Sequence, residues 1–275
     1  MSRIAEAIRS GAIGGRVWFY SNYHCNLTCA YCLTESGPDA TPRLLGAERM
    51  RRAASEAAPL GFGSIGVTGG EPFLLPWMPE LLADLADVLP VVVLSNGTLF
   101  HGARLRSLEA LANRPVTIQI SLDHPDPVPN DRMRGPGNFA KVVEAVPRLV
   151  ALGLRVRIAT TGTDVDDEEM GRLCRLHRAL GVVDEDHVVR PVARRGRAAT
   201  QGMGIDAPWE RFEPELTITA DGSFWSPFAP TVMGGRLDTD MLLTRTTSPL
   251  EVAARAMLRV LERRPAADAA AERFT

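Results

Sequence analysis

Lysine is nearly missing from this chain of 275 residues: Lys141 is the single one, and the remaining basic residues are arginines. A cofactor anchored as a lysine Schiff base, pyridoxal phosphate above all, therefore has one residue to use, and Lys141 falls in an amphipathic helical stretch. Long apolar runs are missing too. No stretch of about twenty such residues exists to span a membrane, and residues 1–15, with Arg3, Glu6 and Arg9 set into an apolar pattern, lack the continuous core of a secretory signal. Neither sign of charge dominates: 31 Lys and Arg against 33 Asp and Glu, a formal net charge of −2, make no electrostatic case for nucleic acid. The expected location is cytoplasmic, with neither membrane nor nucleic acid as a partner. Cysteine is scarce as well, at four residues, and none follows Cys174. Three of the four share one short run, so there is no disulfide framework, and a reducing compartment suits the thiols.

That run is Cys25-Asn26-Leu27-Thr28-Cys29-Ala30-Tyr31-Cys32. Gaps of three and two residues let one loop fold its thiolates around a single metal centre, and three soft ligands suit an iron–sulfur cluster. A four-iron cubane with three protein ligands keeps one iron open to a substrate or cofactor, whereas structural zinc needs four closed ligands. His24 adjoins Cys25 and would strain a tetrahedral zinc site. Zinc and an incidental cysteine cluster are the competing readings.

A hydrophobic content of 45% with 23% charged residues describes a globular chain with room for one large α/β domain, or one of about 200 residues with an appendage. Short β-branched runs alternate with segments of helical period, the pattern of repeated βα units on a parallel sheet. Six strands are expected, at 17–22, 64–68, 91–95, 116–122, 155–160 and 187–191, separated by helices at 46–58, 78–89, 103–112, 138–152 and 167–180. Right-handed crossovers would curve them into a partial (β/α)6 TIM-like barrel, with polar motifs at the strand C-terminal ends. After residue 195 the rhythm breaks. Residues 1–195 read as the barrel and 196–275 as a small C-terminal α+β extension, with strand-like pieces at 215–219 and 223–225, a helix at 249–264 and a fraying Ala-rich end at 265–275. The glycine pattern Gly61-Phe62-Gly63-Ser64-Ile65-Gly66 precedes a strand instead of joining one to a helix, so it lacks the helix N-terminus a dinucleotide needs.

The cysteine run, with aromatic Tyr31 before its third cysteine, resembles the signature of the radical S-adenosylmethionine (SAM) superfamily. Further matches follow over residues 16–195. Gly69-Gly70-Glu71-Pro72 directly after a strand resembles the motif that receives the methionine amino group; two glycines admit a close ligand and Glu71 offers a carboxylate. Ser121 and Asp123 at the end of the fourth strand, and Arg134 in Asp131-Arg132-Met133-Arg134-Gly135, resemble residues close to SAM, the arginine pairing with its carboxylate; Arg132 is the alternative fork. Asn96 orients a ligand or serves an ordinary Asn-Gly turn. Thr160, with its neighbour Thr161, and Val192 stand where the family holds ribose and adenine. The resemblance implies one [4Fe–4S] cluster on Cys25, Cys29 and Cys32, SAM as cofactor, and an external flavodoxin- or ferredoxin-type electron donor. It implies reductive cleavage of SAM to methionine and a 5′-deoxyadenosyl radical that abstracts hydrogen from an unactivated carbon.

Residues 131–161 and the later Asp221-Gly222-Ser223-Phe224-Trp225-Ser226-Pro227 resemble the SPASM or twitch branch, whose extensions hold auxiliary clusters on several cysteines. Here Ser226 and Pro227 stand where a first such ligand is expected, and the tail has no cysteine. Redox-neutral rearrangement or elimination and C–H crosslinking are thereby favoured over dehydrogenation through a second cluster. The branch implies a ribosomal peptide or a small natural product as substrate. The stretch before Val17 is too short for a leader-binding domain, which tilts the expectation toward a small molecule or a partner-delivered peptide. Trp209, Phe224, Trp225 and Phe228 either line a substrate mouth or fill the core of the extension. A different class of function is a non-catalytic iron–sulfur or zinc-binding interaction protein that keeps the fold. No catalytic side chain beyond the cofactor residues is singled out.

Overall fold

The structure, a computed structural model, describes residues 2–162, 166–206 and 208–263; the Ala-rich end expected to fray lies outside them. A short helix, α1 (Arg3–Arg9), precedes six parallel strands that stand side by side in chain order: β1 (Arg16–Tyr20), β2 (Ser64–Thr68), β3 (Val91–Ser95), β4 (Val116–Ser121), β5 (Arg155–Thr161) and β6 (His187–Arg190). The crossovers carry α2 (Ala47–Leu60), α3 (Met78–Ala86), α4 (Gly102–Ser107), α5 (Pro127–Arg134), α6 (Asn138–Ala151) and α7 (Asp167–Ala179). Sequential order with helical crossovers is what curves a sheet into a barrel instead of a doubly wound layer.

Strand alternation sorts the side chains. On β1, Val17 and Phe19 are fully buried in the core shared with the helices, while Arg16, Trp18 and Tyr20 line a cavity on the other face. Trp18 fits there because its neighbour is Gly66, where a Cβ would fall 2.3 Å from the indole ring. β1 stops at Tyr20, two residues before the expected end, because Ser21 and Asn22 turn to the next loop: Ser21 Oγ donates to Thr68 O at 2.9 Å and Asn22 Nδ2 to Glu71 O at 3.1 Å.

The chain beyond the barrel continues its sheet. After α8 (Arg197–Thr200), β7 (Thr217–Ile218) pairs in parallel with β1, Thr217 opposite Trp18, and β8 (Ser223–Phe224) follows antiparallel. A hairpin of β9 (Val232–Met233) and β10 (Arg236–Leu237) stands apart, β11 (Leu242–Thr244) closes the edge on β8, and α9 (Leu250–Arg263) packs on α1 and α2. Phe212, Leu216, Phe224, Trp225 and Met257 enter the same core as the barrel residues.

One buried pair carries a stability prediction. His177 on α7 stacks edge-on against His187 at 4.4 Å, is fully buried, and neither ring nitrogen has a hydrogen-bond partner among the described residues. Burial and the adjacent His187 hold its pKa down to about 4 from 6.5, with Asp184 opposing. A depressed imidazole pKa means that the unfolded chain binds a proton the folded one refuses. Stability is therefore full above about pH 6.5 and falls as pH drops toward 4, by roughly 3 kcal/mol from this group. His177→Leu is expected to flatten that slope in denaturant titrations between pH 7 and 4.5; an unchanged slope would contradict the assignment.

Candidate active site

The cysteine loop lies over the C-terminal ends of β1 to β5, where parallel barrels place their chemistry. One cavity there is lined by Cys25, Cys29 and Cys32 and by Tyr31 from the loop, by Gly69 and Gly70 after β2, and by Asn96 after β3. Ser121 of β4, Arg134 at the end of α5 and Val192 after β6 complete the set. Of the residues that the resemblance places at the cofactor, four stand behind the wall: Glu71, Pro72, Asp123 and Thr160 do not line it. Thr160 Oγ1 donates to Leu122 O at 2.8 Å and sits 2.9 Å from His187 Nε2, while Ala159 and Thr161, one residue either side, face the cavity. A shift of one residue along a strand exchanges its faces.

Glu71 is fully buried and faces protein donors: Oε1 accepts from Phe73 N and Ser95 Oγ, each at 3.0 Å, and Oε2 from Asn96 N at 2.7 Å. Burial raises its carboxyl to about 7 against the lowering pull of those hydrogen bonds and of Arg134. Glu71 thus ties the β2 turn to the β3 turn. The glycines ahead of it serve a close approach of backbone to backbone. A Cβ at Gly70 would meet His24 O at 2.2 Å, and Gly70 N and Glu71 N donate to Asn22 O and His24 O at 2.8 and 2.9 Å. The Gly-Gly edge is stitched to the residue preceding Cys25.

Arg134 is buried and paired. Its guanidinium reaches Asp123 Oδ2 at 3.3 Å and bonds the Tyr31 hydroxyl, which donates to the same Asp123 oxygen at 2.6 Å. Asp123 Oδ1 accepts from Thr161 N at 3.0 Å. The alternative fork, Arg132, is exposed. Asn96 is both turn residue and cavity wall: Oδ1 accepts from Thr98 N at 3.0 Å and Nδ2 donates to Asn26 Oδ1 at 2.9 Å, 3.7 Å from Cys25 Sγ. His124 is engaged locally, its Nδ1 accepting from Asp126 N at 2.8 Å, and is not part of the cavity. Phe224 and Trp225 are core residues, while Phe228 reaches the cavity.

A clamp from the C-terminal segment escaped the sequence reading. Arg197 Nη1 donates to Cys29 O at 2.6 Å, Nη2 to Ser36 O at 2.9 Å, and its backbone N to Cys32 O at 2.9 Å. Val232 N donates to Leu33 O at 3.0 Å, and both Glu35 carboxylate oxygens accept from Gly234 N and Gly235 N at 3.0 Å. Gly196 permits this approach, at φ +56° with Leu33 O only 2.2 Å from where a Cβ would be. Gly196→Ala is expected to cost about 1–3 kcal/mol through strain and to lower iron incorporation several-fold, read by thermal midpoint and iron per chain; wild-type values for both would refute the clamp.

These residues fit a thiolate-bound cluster and a zwitterionic ligand. All three thiols are free and open to the same cavity. Burial pushes Cys25 up to about 12, so a charged thiolate there requires a metal's positive field. A cubane offers each of the three thiolates its own iron. Arg134 Nε is buried without a partner, leaving one donor of a planar fork for a carboxylate.

The curved parallel sheet and the cavity over its strand ends define a barrel enzyme whose site is a thiol-bearing loop. A family model, that of the Radical SAM superfamily, matches residues 20–177. The chain belongs to the radical SAM superfamily, and its cofactors are SAM and a [4Fe–4S] cluster. The antilisterial bacteriocin subtilosin biosynthesis protein AlbA of Bacillus subtilis is 30% identical over 165 residues, 59% of this chain and 36% of that protein. SuiB of Streptococcus suis bound to S-adenosylmethionine superposes with a TM-score of 0.55 at 18% identity, over 64% of this chain and 41% of that one. Native anSMEcpe with bound AdoMet and Cp18Cys peptide does so at 0.61 and 11%, over 87% and 79%. At such identities the two structures establish the fold alone. The chain spans well under half the length of AlbA and of SuiB. No helix among the described residues is long and apolar enough to cross a membrane.

Proposed function

We propose that this chain is a biosynthetic radical SAM enzyme acting on a peptide or small natural product, with Cys25, Cys29 and Cys32 holding one [4Fe–4S] cluster. When bound, the cluster supplies the electron that cleaves SAM reductively to methionine and a 5′-deoxyadenosyl radical able to abstract hydrogen from the substrate. The observation that carries this reading is the meeting, in one cavity, of three free thiols with the Gly69–Gly70 edge and the half-satisfied Arg134.

In this reading Gly69, Gly70, Asn96, Ser121 and Val192 contact SAM, Tyr31 borders it, and Arg134 Nε receives its carboxylate. Glu71, Pro72, Asp123 and Thr160 hold those groups in place. Residues 196–275 form a small extension that clamps the cysteine loop and helps exclude water from the reacting carbon, and it carries no auxiliary cluster. An outside donor of flavodoxin or ferredoxin type, in the cytoplasm, supplies the electron. With no cysteine after Cys174, redox-neutral rearrangement or elimination and C–H crosslinking remain favoured. Two assays test the proposal. Reconstituted protein reduced with dithionite and given SAM is expected to form 5′-deoxyadenosine, and its iron content to approach about four per chain. No 5′-deoxyadenosine, or about eight irons per chain, would contradict it.

A further inference from the structure

Beneath the cavity just described lies a second one, between the barrel lumen and the C-terminal segment, lined by Arg16, Trp18, Glu213, Glu215, Ser226 and Pro227. The two share Tyr20, Leu33, Thr68, Leu94, Arg190 and Phe228, so they meet along one wall. The upper cavity is lined by two arginines and by no carboxylate. Arg134 is neutralised by Asp123, at 3.3 Å. Arg190, at the end of β6, has no carboxylate within ion-pair distance among the described residues: its guanidinium lies 5.9 Å from the centre of the Phe228 ring and, like that of Arg134, its Nε is buried without a hydrogen-bond partner there.

The charges around Arg190 deepen the imbalance. The positive charges of Arg157 and Arg16 both act on it; Nε of each is buried without a hydrogen bond among the described residues, and Arg157 Nε has Asp186 Oδ1 at 4.0 Å as its ion-pair partner. Glu215 is the acidic side chain whose field opposes them, but it makes no ion pair with Arg190, and its Oε2 accepts from Trp18 Nε1 at 2.8 Å. Glu213 lines only the lower cavity. A buried cation kept beside two others, with no ion-pair partner among the described residues, costs stability unless a ligand completes it. It stands where the cofactor cavity opens toward the lumen, and its aromatic neighbour gives it an apolar backing on which a planar guanidinium presents its fork.

We infer that Arg190 is a substrate-specificity residue that binds a carboxylate of the substrate at the junction of the two cavities. The carboxylate belongs either to an acidic side chain or to a chain terminus, and the fork holds it so that a neighbouring carbon faces the cofactor cavity. This inference rests on the proposed reading of that cavity as the SAM site.

The test uses anaerobic, cluster-loaded protein with saturating SAM and two probe pairs followed by titration calorimetry. One pair is N-acetyl-glutamate methylamide and its glutamine counterpart; the other is N-acetyl-alanine and its amide. In at least one pair the acid is expected to bind about tenfold or more tighter than the amide, and the pair that discriminates identifies the source of the carboxylate. Arg190→Gln is expected to bring that ratio within about twofold while SAM affinity stays within the same margin; Arg190→Lys, which keeps the charge and loses the fork, is expected to fall between. Folding of each variant is checked by circular dichroism, and the lysine variant serves if the glutamine one does not fold. Equal binding of acid and amide, no detectable binding of either acid, a ratio that survives loss of the guanidinium, or a variant that loses SAM instead would each overturn the inference. Failure of the SAM reading shows separately, as wild-type protein that does not bind SAM.

Discussion

Cys29→Ala is expected to remove the iron–sulfur absorption of reconstituted protein and to reduce 5′-deoxyadenosine formation by far more than a hundredfold. Losing a group that merely supports a metal ligand costs about 10–100-fold in affinity or activity, and Cys29 is proposed as a ligand itself. Its surroundings offer no replacement: among the described residues no His, Asp or Glu and no fourth cysteine lines the cavity. The fourth cysteine, Cys174, sits on the outer helix α7 and is absent from the cavity. Cys174→Ala is accordingly expected to keep wild-type iron and activity. Iron content and product yield measured on both variants check the contrast. A cluster that persists in Cys29→Ala, or disappears in Cys174→Ala, would place the metal elsewhere.

Asp123→Ala is expected to destabilise the iron-free protein by about 3–5 kcal/mol, the cost of leaving a buried charge without its partner. The Asp123 and Arg134 side chains are only 3% and 6% exposed, so solvent cannot take over. Both Asp123 oxygens are used: one receives the Tyr31 hydroxyl and Arg134, the other the backbone N–H of Thr161. The substitution therefore unpairs Arg134, frees Tyr31 inside the cysteine loop and loosens the end of β5 together. Denaturant unfolding measures it. A loss below about 1 kcal/mol would mean that Arg134 finds water or another partner, as surface pairs do, and that the buried network is not what holds the cavity wall.

Much of this arrangement is legible in the sequence because it is local. β2 and β3 run over the expected residues 64–68 and 91–95, since a short β-branched run closed by Gly-Gly or Asn-Gly leaves little freedom of register. The cysteine triplet, the Gly-Gly edge, Ser121 and Arg134 fall into one cavity because each ends a strand or a crossover on the same barrel rim. Helix α5 was hidden by Pro127 and Pro129, which read as loop residues yet sit in a first turn where a missing N–H costs nothing. Its last turn is what buries Arg134. Helix 103–112 splits into α4 and a 3-10 turn, Glu109–Leu111, a boundary that apolar spacing does not mark.

The remainder is long-range. β7 is two residues long and carries no periodic signal, so its pairing with β1, about 200 positions earlier, had no local trace. Arg197 reads as one of a basic cluster until the fold carries it to the carbonyl of Cys29. Glu71 and Asp123 were recognisable as acids at strand ends, but whether such an acid faces a ligand or the protein behind it depends on the donors that neighbouring strands bring. Here those donors are Phe73 N, Ser95 and Asn96 N for Glu71, and Tyr31, Arg134 and Thr161 N for Asp123.

The most direct test of the central claim is the electron paramagnetic resonance spectrum of anaerobically reconstituted, reduced protein before and after SAM is added. A [4Fe–4S]⁺ signal whose shape changes on adding SAM, as an open iron meeting its ligand requires, is the predicted result. A cluster signal indifferent to SAM, or a protein that takes up zinc and shows no cluster signal, would contradict it and leave a metal-binding protein that has kept the barrel without its chemistry.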